Sequence, residues 1–215
     1  MIVLTRFSIA CYRFFRKIAI CDYSILFASP LIEIESLENR DGISFHCLST
    51  DQWGELSACK DQFRASEFLS LDPARFHCWG LRENGQWIAY LWTGVGAIPA
   101  EHNSNGHPWT GLPLQLDHRA VYFFAAFVQP ARRGRRLYQH LLGKVALALR
   151  TRGFDTAVVT ADVTNIPANR TVRRLGFKAY AATRLTRLRK WASAHYSCRE
   201  LPGYCHIGVY QGECV

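Results

Sequence analysis

Four arginines flank one glycine in Ala131-Arg-Arg-Gly-Arg-Arg136, and no other stretch of the chain concentrates charge so tightly. Before it runs Ala120 to Val128, a nearly continuous apolar stretch that stops at Pro130. A central strand reads this way, and proline cannot supply the ladder N–H that a strand interior needs. After it, Leu137, Leu141, Leu142, Val145, Ala148 and Leu149 trace one helical face, with Gly153 as a stop signal. The turn therefore joins a strand to a helix start. The first turn of a helix presents N–H groups with no intrahelical acceptor and carries partial positive charge, so phosphate binds well there. Gly134 allows a sharp turn or a close approach to a ligand. Four cations at a helix start repel one another, and an anion would compensate them. Three readings are open on these residues alone: a coenzyme phosphate site, a solvated basic turn, or a nucleic-acid contact. No RNP-type aromatic strand, helix-turn-helix pair or zinc finger accompanies the arginines, which counts against the last.

Proton-transfer chemistry needs a carboxylate or an imidazole. Asp117 and His118 immediately precede the apolar strand and are the first candidates by position. Glu101, His102 and His107 follow, in the segment Gly96–Asp117, whose prolines and glycines predict a long loop. Any one of these histidines could equally be a solvated loop residue. The strand itself, Tyr122-Phe-Phe-Ala-Ala-Phe127, holds no acid. Trp79, Trp87, Trp92 and Trp109 are pocket candidates, although the first three fall at strand spacing and read better as core. The eight cysteines form no CxxC pair and no zinc-ligand spacing, so no metal is expected. Cys47 and Cys78 sit in apolar runs and read as reduced, packed thiols, which places the chain in a reducing, cytoplasmic compartment.

The remaining elements can be placed from periodicity. Leu4, Phe7, Cys11, Phe14, Phe15 and Ile18 recur at helical spacing between basic residues, giving an amphipathic helix that would cover the domain, a partner or a membrane surface. No apolar run approaches the roughly 18 residues of a membrane span. Ile43 to Leu48 reads as a strand, followed by a helix from Thr50 with Thr50 or Asp51 as its cap. Phe76–Arg82 and Trp87–Val95 form a hairpin across Glu83-Asn-Gly-Gln86. Thr156–Val163 is a buried-type strand, Asn165–Leu175 a helix closed by Gly176, and Lys178–Leu188 a last strand. The tail holds a turn at Pro202-Gly203 and a short strand near Ile207–Tyr210. The sum is an α/β or α+β domain with one mixed sheet. A net charge of +9 suits a polyanionic partner without choosing one.

Two ordered motifs carry a family resemblance. Phe127-Val-Gln-Pro-Ala-Arg-Arg-Gly-Arg-Arg-Leu-Tyr-Gln-His-Leu-Leu142 resembles the coenzyme A signature of the GNAT superfamily: a strand ending Val-x-Pro, then a Gly-rich basic turn, then a helix. Asn165-Ile-Pro-Ala-Asn-Arg-Thr-Val-Arg-Arg-Leu-Gly-Phe177 is similar to its second signature. The resemblance spans about residues 76–188. It implies a mostly antiparallel central sheet flanked by helices, with residues 1–35 as an added N-terminal helix and lead-in, 40–190 as the acyltransferase domain, and 191–215 as a capping tail. It further implies acetyl-CoA as co-substrate and an amine acceptor attacked directly. Pantetheine would pair with Ala126 and Val128, the pyrophosphate would rest on Arg133, Gly134, Arg135, Arg136, Leu137 and Tyr138, and Asn165 would bond near the pantetheine. The Val128 N–H is expected to receive the developing oxyanion.

The chain departs from the family pattern in two ways. Arg136 and Tyr138 stand where glycine and glycine or alanine are usual, so their side chains are expected to point away from the phosphates. Val172 stands where a tyrosine often protonates the leaving thiolate. The alternatives are a non-catalytic acyl-CoA-binding module, or a basic protein of nucleic acid or membrane surfaces. No nucleic-acid partner is expected, and residues 4–20 could make a peripheral membrane or partner contact.

Overall fold

A computed structural model describes residues 20–34, 41–58, 71–103, 112–188, 191–197, 200–201 and 203–207. The N-terminal helix expected over residues 4–18 lies outside them, as do His107 and Trp109. The expected domain strands are present as β2 (Ile43–Leu48), β3 (Phe76–Glu83), β4 (Gln86–Gly94), β7 (Ala120–Val128), β8 (Thr156–Asp162) and β9 (Lys178–Leu188). The β3–β4 hairpin turns through Asn84 and Gly85, both at positive φ, as the Asn-Gly pair dictates.

One strand was hidden in the lead-in. Residues Ile20–Pro30 form β1, which lies between β8 and β9 and pairs antiparallel with both. Among the described residues the main sheet has eight strands in the order β10-β9-β1-β8-β7-β4-β3-β2, where β10 (Trp191–Tyr196) comes from the tail. In this sheet only β7 and β8 pair in parallel among the described residues. The sheet is thus mixed and mostly antiparallel.

A second, four-stranded sheet also departs from the single-sheet expectation. Its strands are β5 (Ala97–Ile98), β6 (Leu114–Leu116), β11 (Glu200–Leu201) and β12 (Cys205–Ile207). Parts of the supposed long loop and of the tail therefore combine into a layer. The short tail strand is described over Cys205–Ile207, and residues 208–210 of the expected Ile207–Tyr210 lie outside the described residues.

Each face of the main sheet carries its own core. On one face α2 (Leu137–Thr151) and α3 (Ile166–Arg174) pack through Leu137, Leu141, Leu142, Val145, Leu149 and Val172 onto Val121, Phe123, Ala157 and Val159. On the other, the second sheet contributes Ile98, Leu114, Leu116, Leu201 and Ile207, and the short helix α1 (Thr50–Trp53) contributes Trp53. Both faces of β7 and β8 are covered, which is why these strands read as continuous apolar runs rather than alternating ones. Trp79, Trp87 and Trp92 are all buried.

Two local expectations need correction. The cap of α1 is Ser49, whose N–H donates to Gln52 Oε1 at 3.1 Å, so neither Thr50 nor Asp51 holds that position. Cys78 is buried, and its burial raises the thiol's pKa, but Cys47 is exposed on β2 rather than packed. Among the described residues no helix is long and apolar enough to cross a membrane.

Candidate functional site

Strands β7 and β8 are paired only from Ala120–Thr156 to Phe123–Val159. Beyond that point β7 stays with β4 and β8 stays with β1, so the two part and open a cleft at their carboxyl ends. Immediately past the last pair, β7 bulges. Tyr90 faces Phe127 and Trp92 faces Phe124, leaving Ala125 and Ala126 opposite Leu91 alone, and Ala125 takes a φ of +46°. A bulge of this kind unpairs a residue and re-aims the backbone. Gln129 N–H donates to Ile88 across the sheet at 2.9 Å. By strand alternation the neighbouring Val128 turns its N–H and C=O away from β4, toward the cleft.

A cavity of about 600 Å³ fills this cleft. One end is the basic turn and the first turn of α2, represented by Arg133, Gly134, Arg136, Leu137 and Tyr138. The middle runs between Ala125–Val128 and α3, with Asn165, Thr171 and Val172 along the side. The far end lies on the opposite face of the sheet at His102, Asn103, Tyr122, Phe124 and Thr160. Ala126, Val128, Arg133, Gly134, Arg136, Leu137, Tyr138 and Asn165 thus come together around one space.

The turn is shaped by two left-handed residues, Gly134 at φ +81° and Arg136 at φ +55°. Arg136 is the N-cap of α2, and the first intrahelical bond runs from His140 N–H to its carbonyl at 3.0 Å. The amides of Leu137, Tyr138 and Gln139 stand ahead of that bond, as an anion cradle requires.

Glu83, at the end of β3, divides the four arginines. Its carboxylate lies 2.9 Å from Arg132 Nη1 and 2.8 Å from Arg135 Nη2, with a second bond from Arg135 at 3.3 Å. The Arg135 hydrogen bond above all, helped by the charges of both arginines, holds Glu83 below the usual carboxylate range. The Arg135 side chain is therefore drawn to the hairpin, and Arg135 is not among the residues lining the cavity. Arg133 and Arg136 do line it, and Arg133 Nε also donates to the Val128 carbonyl at 3.3 Å. Nothing in the sequence marks Glu83 out, because its partners lie about fifty positions away (a separation of 52 for Arg135).

Asn165 caps α3, accepting from Ala168 N–H at 3.3 Å, and its exposed side chain borders the cavity. Asp117 and His118 are exposed and lie before the start of β7, at the end remote from the bulge, and neither lines the cavity. The loop residue that reaches it is His102. Its ring packs 5.6 Å from Phe124 and 5.7 Å from Phe76. Position along the chain favoured Asp117 and His118, but it is the 3-10 turn Ala100–Asn103 that packs against β7, through His102 on Phe124 and Asn103 on Tyr122. Beside His102, the Tyr122 hydroxyl lies 2.7 Å from Asn103 Oδ1 and 3.0 Å from Thr160 Oγ1. Burial pushes its pKa well up, offset in part by the Thr160 contact.

A sequence profile of the acetyltransferase (GNAT) family matches residues 42–177, well over half of the chain. The chain belongs to the GNAT family. No curated protein matches it in sequence. Among solved structures, this GNAT chain is similar to a GNAT-family protein from Novosphingobium aromaticivorans, with a TM-score of 0.53 and 18% identity over 78% of this chain and 65% of that one. An acetyltransferase of the family from Colwellia psychrerythraea gives 0.52 and 12% over 77% and 55%. A glucosamine N-acetyltransferase region within a fungal multi-domain beta-N-acetylglucosaminidase gives 0.56 and 18% over 85% and 23%. At such identities the likeness is one of fold. The GNAT chain also spans less than two thirds of the length of these structural relatives.

Proposed function

We propose that the chain is an acyl-CoA-dependent N-acyltransferase, in its simplest form an N-acetyltransferase that moves an acetyl group from acetyl-CoA to an amine. One observation carries this reading. The cavity runs unbroken from the helix-start amides, through the gap between β7 and β8, to a titratable side chain on the opposite face of the sheet. A diphosphate on the amides of residues 134–138 would be neutralised by Arg133 and Arg136, while the pantetheine arm lies against the cleft-facing backbone of Val128 and Ala126 in the manner of an added strand. The thioester then reaches the bulge. Direct attack asks the protein chiefly to hold two reactants side by side, which removes much of the barrier.

The amine enters from the His102 end. Its nitrogen bonds to the thioester carbon, the carbonyl oxygen gains charge against a β7 N–H for which Val128 is the first choice, and the C–S bond breaks with its electron pair going to sulfur. His102 takes the place first given to Asp117 and His118, as the imidazole able to accept the proton from nitrogen. Val172, in the cavity wall where no proton can be donated, favours a second reading in which acyl-CoA is bound and not turned over. Release of CoA thiol with a panel of amines separates the two.

The cofactor assignment is tested by calorimetry with acetyl-CoA. Arg133→Glu and Gly134→Asp are expected to weaken binding by roughly 10- to 100-fold, the scale of a charge-assisted hydrogen bond or two. A Cβ at Gly134 meets nothing within 4 Å, but at φ +81° an aspartate adds backbone strain of roughly 1–2 kcal/mol, so circular dichroism accompanies the second variant. Unchanged affinity in both would show that the turn is not the phosphate site.

A further inference from the structure

The acceptor end of the cavity holds a polar cluster whose protons can be assigned one by one. Asn103 Nδ2 donates to the Leu112 carbonyl at 2.7 Å, which fixes the amide with Oδ1 toward Tyr122. Oδ1 can only accept. It therefore takes the single proton of the Tyr122 hydroxyl, 2.7 Å away. The Thr160 hydroxyl, 3.0 Å from the same phenol, must then give its own proton to the Tyr122 oxygen. Both hydroxyl protons are committed. What Asn103 Oδ1, Tyr122 Oη and Thr160 Oγ1 have left for a ligand is lone pairs.

The cluster stands beside the reacting end. Phe123–Val159 is the last pair of β7 with β8, so Thr160 is the first β8 residue past the parting of the strands, level with Phe124. At about 3.3 Å of rise per residue, it lies one to two residues' length from the bulge at Ala125 and Ala126 along the strand direction. Thr160 is half-buried, whereas its neighbours from Val158 to Asp162 are buried. All three residues line the cavity, next to Phe124, Ala125 and Phe127, whose side chains present carbon only.

A wall of lone pairs leaves a thioester carbonyl oxygen unpaired, but it satisfies N–H groups. Resting on the acyl-transfer reading above, we propose that these three oxygens bind the N–H groups of the acceptor, so that Asn103, Tyr122 and Thr160 select a primary amine and hold it beside the bulge. A neutral primary amine that gives two N–H bonds to this wall turns its lone pair away from it, into the cavity where the thioester lies. The surplus proton of the ammonium form goes to His102 or to solvent. A tertiary amine has no N–H to give and is refused.

The test uses CoA thioethers, which cannot react. S-aminopropyl-CoA and S-butyl-CoA carry arms of equal length that end in an ammonium and a methyl group. Calorimetry on the native protein at neutral pH should find the aminopropyl compound bound roughly tenfold more tightly or better, the scale of a hydrogen bond to a charged group. Thr160→Val keeps the shape, removes one acceptor and leaves the Tyr122–Asn103 bond in place. In it that preference should shrink several-fold, and Thr160→Ser should restore it. Equal affinity of the native protein for the two compounds would overturn the proposal without any variant being made. So would a preference that survives undiminished in a folded Thr160→Val, since the nitrogen would then be held by another group. Binding of CoA itself is measured alongside. A native protein that binds neither CoA nor the thioethers would remove the acyl-CoA reading and this proposal with it, whereas one that binds CoA and ignores the terminal nitrogen would sink this proposal alone.

Discussion

Arg136 is the residue whose backbone and side chain pull in opposite directions. Its left-handed conformation costs an L-residue roughly 1–2 kcal/mol, yet it forms the N-cap of α2 and borders the phosphate end of the cavity. Arg136→Gly is therefore expected to raise stability by up to about 1 kcal/mol, the conformational cost less glycine's greater freedom when unfolded. Urea denaturation measures this, and a lower midpoint would mean that the guanidinium makes contacts worth more than the strain. The same substitution should weaken acetyl-CoA binding by only a few-fold, since the amides remain. Reading this residue from sequence was possible in part. The motif showed a side chain where glycine is usual. What the motif could not show is that the chain accepts the strained geometry and keeps the charge.

At the level of elements, the basic turn is tied to the β3–β4 hairpin by one carboxylate. Glu83→Gln should lower stability modestly at neutral pH and low salt, because Arg132 and Arg135 then repel Arg133 and Arg136 unopposed. The pH dependence has a definite sign. The folded-state pKa of Glu83 is depressed, so its contribution is fully present above the ordinary value of 4.5 and disappears as pH falls through the lower folded one. Native protein and variant should converge in that acid window, and a difference persisting below it would mean the effect is not electrostatic. The strand, turn and helix around this site were legible because each has its own local signal: an apolar run, a glycine among arginines, a helical period. The hairpin's hold on the turn was not, since a pairing across fifty residues leaves no local pattern. Nor was the second sheet. Strands of two or three residues, such as β5 and β11, are shorter than any alternation that could reveal them.

Over the whole molecule, the family match begins at residue 42, but the fold does not. Strand β1 joins β8 to β9. A chain starting at Ile20 should fold and bind acetyl-CoA, whereas one starting at Leu31 should lose both, because it would leave two strand edges unpaired in the middle of the sheet. Circular dichroism and calorimetry on the two truncations decide this, and a folded, binding-competent protein from Leu31 onward would be incompatible with the sheet order. The strand escaped the sequence reading because it is covered on both sides: Ile25-Leu-Phe-Ala28 is a short apolar run with no alternation, and such runs do not distinguish strand from helix. Its position also bears on the order of events during synthesis. The β1 segment is synthesised before residues 156–188 and must wait for them before either of its neighbours exists, so the halves of the sheet cannot be stitched together until those residues are made. Contacts of such long sequence separation slow folding, and the apolar stretch from Ile25 to Ala28 stays open to aggregation in the meantime.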